Sequence, residues 1–463
     1  MKDHVRFILT IILLLVTSCT PFKPQERQSP EGELPRSFSL YTAESKPEVR
    51  WWEEFNDPDL NALITEALSD NLTLKEAWSR LVQTRALAVQ VGSALYPDLT
   101  GTAEAYYARQ RSENGSQKTI SNEAYSLGVV SSYELDLWGR IRAGRESALL
   151  EVTAAREDLN TAAMTMAAEV ANRWVSIISQ RMQKRLLEHQ FQTNLTLLEL
   201  VELRFRMSMV SALDVYQQKQ VVEGITAEIP LVEAEEQVLI HELALLLGKP
   251  PGTSLQISRE DLPEPTEIPA TGLPADLLSS RPDLRSAGNR LKAADWQVAA
   301  ARANRLPAIS LTATAQYGKG DVDALFDNWL LSLAGNLTAP IFDGGRRASE
   351  VDRRQAIADE NLSAYRQAVL TAIKEVENAL VSEAKQREHI RALENVLGTA
   401  RKALEEAGIR YRNGVTDYLP VLTQLLAVQG LERNLIQQRA NLLSARISLY
   451  RSLGGTWTDS LTP

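Results

Sequence analysis

Leu311-Thr312-Ala313-Thr314-Ala315-Gln316-Tyr317 decides the architecture of this chain. Leu311, Ala313, Ala315 and Tyr317 point one way, and Thr312, Thr314 and Gln316 point the other. A period of two is a strand with one apolar and one polar face. After a turn, Trp329, Leu331 and Leu333 alternate with Ser332, Ala334 and Asn336. The pattern occurs earlier in weaker form, with Thr100, Thr102 and Glu104 against Gly101, Ala103 and Ala105. Tyr125, Leu127 and Val129 then stand against Ser126, Gly128 and Val130. Runs of roughly ten residues suit tilted strands that cross a membrane. Taken alone they favour soluble hairpins packed on a core.

Each hairpin runs into a segment with no proline and little glycine, from Gly139 to about Arg206 and from Gly345 to about Arg412. Val152, Ala155, Leu159, Ala162, Met166, Val170, Trp174 and Ile177 recur at three and four, the helical period. At 1.5 Å per residue such a stretch makes a rod of roughly 100 Å, which no compact domain needs. Second helices are expected from Ser211 to Leu247 and from Asp417 to Leu453, and their abundant alanine suits close, coiled-coil-like packing. At the turns, Asn413-Gly414 supplies a left-handed residue and Thr416-Asp417 a new N-cap. In the other half Met207-Ser208 lacks the glycine, and Ser211 with Asp214 reads as a capping box. Pro230 predicts a kink in the first return helix.

The two halves are one unit repeated. A shift of 206 places Gly139-Arg140 on Gly345-Arg346, Glu169-Val170 on Glu375-Val376, Arg204-Phe205-Arg206 on Arg410-Tyr411-Arg412, and Leu247-Gly248 on Leu453-Gly454. Upstream the shift becomes 210 and superimposes Leu95-Tyr96-Pro97 on Arg305-Leu306-Pro307. A shared register over more than a hundred residues marks a duplicated unit.

The N-terminus speaks to compartment. Lys2 and Arg6 precede an apolar run from Phe7 to Val16, too short to span a bilayer and suited to a signal peptide. Val16-Thr17-Ser18 then abuts Cys19, the chain's one cysteine, as in a bacterial lipobox. Thr20, rather than Asp, follows it and points to the outer membrane. Pro21, Pro24, Pro30, Pro35 and Pro47 make the next stretch extended. One cysteine excludes a disulfide framework within the chain. The four histidines stand in no metal-ligand spacing, and a net charge of −9 over 463 residues argues against nucleic acid as partner. No Ser/His/Asp or Cys/His constellation is present, so no catalytic residue, metal site or cofactor is expected beyond a covalent lipid on Cys19. Met164/Met166 and Met207/Met209 suit packing better than soft-metal contacts.

The lipobox, the paired hairpins and helical arms, the repeat and the Arg410-Tyr411-Arg412-Asn413-Gly414-Val415-Thr416-Asp417-Tyr418-Leu419 tip together resemble the outer membrane factor family. The likeness is to its TolC-like group and in particular the lipidated OprM/NodT-type branch, and it covers residues 19–457. It implies a mainly α fold with a membrane β-barrel. A homotrimer is implied, in which four strands per chain close a twelve-stranded barrel continued by a helical tunnel across the periplasm. It also implies docking onto a periplasmic adaptor and an inner-membrane pump, in contact with outer membrane lipid. The organisation expected is a signal peptide at 1–18, a lipid-anchored arm at 19–50, repeats at 51–250 and 276–457 joined by a linker at 251–275, and a tail at 458–463. Gate candidates are Asp417, Arg410, Arg412, Asp214 and Tyr418, and the docking tip candidates are Arg204, Arg206, Asn413 and Gly414. The function implied is a passive exit duct of a tripartite efflux system. A duct for type I protein secretion and a non-conducting lipoprotein scaffold are the alternatives.

Overall fold

The computed structural model describes residues 22–24, 27, 34–40, 50–112, 118–265 and 268–461. Cys19 and the signal segment lie outside them. The elements in order are α1 (Pro58–Asp70), α2 (Leu72–Ser93), β1 (Asp98–Ser112), β2 (Lys118–Leu135), α3 (Arg140–Arg206) and α4 (Ala212–Leu246). The second half follows with α5 (Leu277–Ser280), α6 (Pro282–Ala303), β3 (Ala308–Lys319), β4 (Trp329–Thr338), α7 (Arg346–Arg412) and α8 (Leu419–Leu453). The repeat is visible in the lengths: α2 and α6 have 22 residues each, α3 and α7 have 67, and α4 and α8 have 35. Pro230 sits inside α4, which continues through it although proline offers no amide to the ladder.

The helices start and stop for local reasons. The Asp136 carboxylate accepts from the Ile141 and Arg142 amides at 2.9 and 2.8 Å and so caps α3. Ser211 and Asp214 form the expected capping box on α4. The second return helix departs from expectation. Thr416-Asp417 does not cap it; α8 begins at Leu419 behind Tyr418, with Pro420 in its first turn. Proline's fixed φ suits that first turn and sets the start there. The first tip departs in the opposite sense, because missing glycine changes nothing in its backbone. Ser208 takes φ 58° and Gly414 φ 69°. Met209 and Ser208 amides donate to the Arg204 and Phe205 carbonyls, as Val415 and Gly414 donate to Arg410 and Tyr411. Both helices end in the same Schellman turn.

The chain divides into two compact units. One comprises Met1–Ser29, Arg80–Arg156 and Ser286–Arg366; the other Pro30–Ser79, Glu157–Arg285 and Gln367–Pro463. The first holds a four-stranded antiparallel sheet in the order β1-β2-β3-β4. In it Arg27 clips onto α6 and α7, donating to Asp295 at 2.9–3.0 Å and to Asp359 at 3.2 Å. In the second unit Trp51 stacks on Tyr450 at 5.3 Å, and Trp52 meets Trp457 edge-on at 4.7 Å. Glu383 and Arg446, both fully buried, pair there at 2.6 and 2.9 Å. No helix among the described residues is long and apolar enough to cross a membrane. Met164 and Met166 are buried packing residues, and Met207 and Met209 are exposed.

Candidate functional site

The sheet is the first functional surface. Its register aligns Gly101, Val129, Ala315 and Leu331 across all four strands, and likewise Ala103, Leu127, Tyr317 and Trp329. The alternate rows align Thr100, Val130, Thr314 and Ser332, and Asp98, Ser132, Thr312 and Ala334. Across the middle of the sheet one face thus gathers Leu127, Val129, Ala315, Tyr317, Trp329 and Leu331 and the other Thr100, Thr312, Thr314 and Ser332, with Ser131 on the first face and Val130 on the second. Leu311, Ala315 and Tyr317 are exposed, whereas Thr312, Thr314 and Gln316 on the opposite face are half-buried. Trp329, Leu331, Leu333 and Leu337 lie bare on the apolar side. An exposed apolar face of this extent on a water-soluble protein would drive aggregation; against lipid it is the stable side. β1 and β4 are the edges and have no partner strand among the described residues.

The helix tips are the second surface. Val201, Tyr411, Tyr418, Val421 and Leu422 form a small core between the two tips. Tyr418 is buried inside it, and its hydroxyl donates to Gln218 Oε1 at 2.6 Å. Gln218 Nε2 donates in turn to the carbonyl and side-chain oxygens of Asn194 at 2.9 and 3.0 Å. Burial pushes the Tyr418 phenol pKa well up, and neighbouring Tyr411 and Asp214 act in the same direction, so the hydroxyl stays a donor. The Arg204 guanidinium lies 4.5 Å over the Tyr411 ring. Asp214 is held in its capping box. Arg206, Arg410, Arg412, Asn413, Gly414 and Asp417 are exposed. Among the described residues, Asp417, Arg410 and Arg412 make no ion pair within their own chain. Thus Tyr418, Asp214 and Arg204 are brought together in one packed tip, and the remaining candidates stand outward from it. The buried pair Gln218–Asn194 escaped the sequence reading. Its one signal was a polar residue at a helical position where the stripe calls for an apolar one.

A sheet built to face lipid on one side and water on the other, joined to two copies of one very long helical arm, defines a transport protein of the outer membrane. The outer membrane efflux protein family model matches residues 63–249 and 273–455, one segment for each repeat. The chain belongs to that family. It is 33% identical over 416 residues to the pyoverdine export outer membrane protein OpmQ of Pseudomonas aeruginosa, covering 88% of this chain and 87% of that one. It is 32% identical to the toluene efflux pump outer membrane protein TtgF of Pseudomonas putida, covering 99% and 98%. The solved outer-membrane channel OprN matches with a TM-score of 0.85 at 29% identity, covering 95% of this chain and 98% of that one. The channel CusC matches with the same TM-score at 25% identity. The chain is therefore an outer-membrane efflux channel protein with the TolC-like fold, and it works as a component of an efflux system.

Proposed function

We propose that three copies pool their strands into one barrel and form the exit duct through which small organic molecules, passed on by an inner-membrane pump and a periplasmic adaptor, leave the cell. The observation that carries this reading is the sheet with a continuous apolar face and two open edges. Lipid offers no hydrogen bonds to an unpaired edge, so strands in a membrane must close on themselves. Four strands are too few, and neighbouring copies supply the rest. Cys19 carries the acyl anchor, at the end of an arm that Arg27 and Asp295 fasten to the protein.

At the periplasmic mouth, Asp417, Arg410 and Arg412 lack ion-pair partners among the described residues of their own chain. They meet their counterparts across the trimer axis, beside Tyr418 and Asp214. Each exposed pair stabilises by only about 0–1 kcal/mol, but a ring of them biases an open–closed equilibrium that shifts tenfold for about 1.4 kcal/mol. Arg204, Arg206, Asn413 and Gly414 form the surface that receives the adaptor. Planar-bilayer recording of the purified trimer tests this. Asp417→Ala and Arg410→Ala should each raise single-channel conductance without adaptor, as should high salt on the parent protein. Absence of any conductance under all these conditions would leave a scaffold rather than a duct. Mass spectrometry of the mature N-terminus should show acylated Cys19.

A further inference from the structure

The duplication contains a measurement of how two copies join. Within the chain, β1 pairs with β2 and β3 with β4, one hairpin per repeat. Shifting β1 by 210 and β2 by 206 carries the pair Asp98–Ser132 onto Ala308–Thr338, which is an observed pair of the second hairpin. It likewise carries Thr102–Gly128 onto Thr312–Ala334, also observed. The shifts read from the sequence are thus the true structural equivalences inside the sheet. The β2–β3 ladder is different in kind, because it joins the first repeat to the second. If copies follow one another around a barrel, the next such joint is β4 of one copy against β1 of the next.

We infer that this seam has the register of the β2–β3 ladder carried forward by the same shifts. Val130–Thr314 becomes Asn336 of one copy beside Glu104 of the next. Leu127–Tyr317 becomes Leu333 beside Tyr107, and Ser131–Ala313 becomes Leu337 beside Ala103. The inference rests on the barrel reading above and adds to it which residues meet. Two features accord with it. The first is facial: Leu333, Leu337, Ala103 and Tyr107 belong to the apolar face, whereas Asn336 and Glu104 belong to the polar one. A slip of one residue would turn every β4 side chain to the wrong side. The second is exposure. Leu135 and Ile309, paired within the chain, are half-buried. Their shifted counterparts Ile341 and Leu99 are 97% and 71% exposed, and the seam brings them together. Pro340, between Ile341 and the end of β4, has no amide to donate, so the hydrogen-bonded part of the seam ends at Thr338 with Thr102.

Disulfide trapping in isolated outer membranes tests the register, with the parent chain as the background control because Cys19 is its one cysteine. Glu104→Cys with Asn336→Cys should give covalent dimers and trimers on mild oxidation. Thr102→Cys with Asn336→Cys, and Tyr106→Cys with Asn336→Cys, keep the same face but are two residues out of register and should not. Val130→Cys with Thr314→Cys should close within one chain whatever the assembly. Native mass of the detergent-solubilised parent separates failure of the assembly from failure of the register. A monomer would remove the barrel reading itself. A trimer in which the Thr102 or Tyr106 variant cross-links instead, or in which no seam pair does while Val130–Thr314 closes, would overturn the register alone.

Discussion

The two repeats share lengths, turns and register, yet they solve one packing problem with opposite chemistry. In the second repeat α7 and α8 are joined by Glu383 and Arg446, whose side chains are 0% and 2% exposed. Shifted back by 206, these positions are Ile177 and Ile240, apolar, with Ile177 fully buried. Burying two charges costs about as much as their attraction returns, so the ion pair need not make the second repeat the more stable. What differs is tolerance: an apolar contact loses its own packing when cut, whereas a cut ion pair leaves a charge stranded. The first repeat is therefore the robust copy, and the second is the copy in which one substitution propagates.

The largest effect expected follows from that contrast. Glu383→Ala should lower stability by about 3–5 kcal/mol, because the buried Arg446 loses its carboxylate and Arg387 loses the same acceptor. Glu383→Ile with Arg446→Ile, the first repeat's own solution, should recover most of the loss in thermal unfolding of the purified protein. If the double variant is as unstable as the single one, the two sites are not equivalent. A second test looks for sameness. A Cβ at Gly248 would lie 2.6 Å from the Asp70 carbonyl oxygen, and one at Gly454 2.5 Å from that of Ser280, both at positive φ. Gly248→Ala and Gly454→Ala should each cost about 2–4 kcal/mol, and a large inequality would show that the repeats have diverged at these joints.

The tips offer a finer test of how far the repeats differ. Tyr418→Phe leaves Gln218 Oε1 buried without its donor and should cost about 1–3 kcal/mol. Ser211→Ala, which removes the cap at the start of the other return helix, should cost about 1 kcal/mol. Hydrogen exchange at the tip amides would rank the two, and a larger effect from Ser211→Ala would make the buried hydroxyl dispensable. The smallest change is a gain. Ser208 adopts a conformation that glycine adopts freely, so Ser208→Gly should stabilise by up to about 1 kcal/mol and Gly414→Ser should lose a similar amount.

Much of this architecture is legible in the amino-acid sequence. The proline-free runs ending at Arg206 and Arg412 locate the long helices to within a residue, because a 3.6-residue period sustained for so long has no competing explanation. The strand faces are legible because alternation is a local property of the chain. Features set by sequence-distant partners are not. Nothing near Arg27 announces Asp295 or Asp359, and nothing near Tyr418 announces Gln218. Asp417 resembles a cap by residue type alone, whereas Pro420 decides where the helix begins. Ser208 misleads in a similar way: a missing glycine suggests a different turn, but the Schellman hydrogen bonds hold a serine in the same conformation.

The packing of Trp51 on Tyr450 joins the start of the folded body to its last helix. Tyr450 donates to Glu54 as well, across 396 residues, so Trp51 and Glu54 gain these contacts only when the last helix is present, whereas Phe55 already meets Trp174 of α3. The entropic cost of closing so long a loop grows only with the logarithm of its length and is modest. The kinetic consequence is larger, since contacts of such separation form late and leave apolar surface uncovered in the interval. A chain truncated before α8 would lose the ring partners of Trp51 and Trp52 and should be cleared by periplasmic proteases. The aromatic buckle is thus a contact that only a chain carrying both α8 and Trp457 can close.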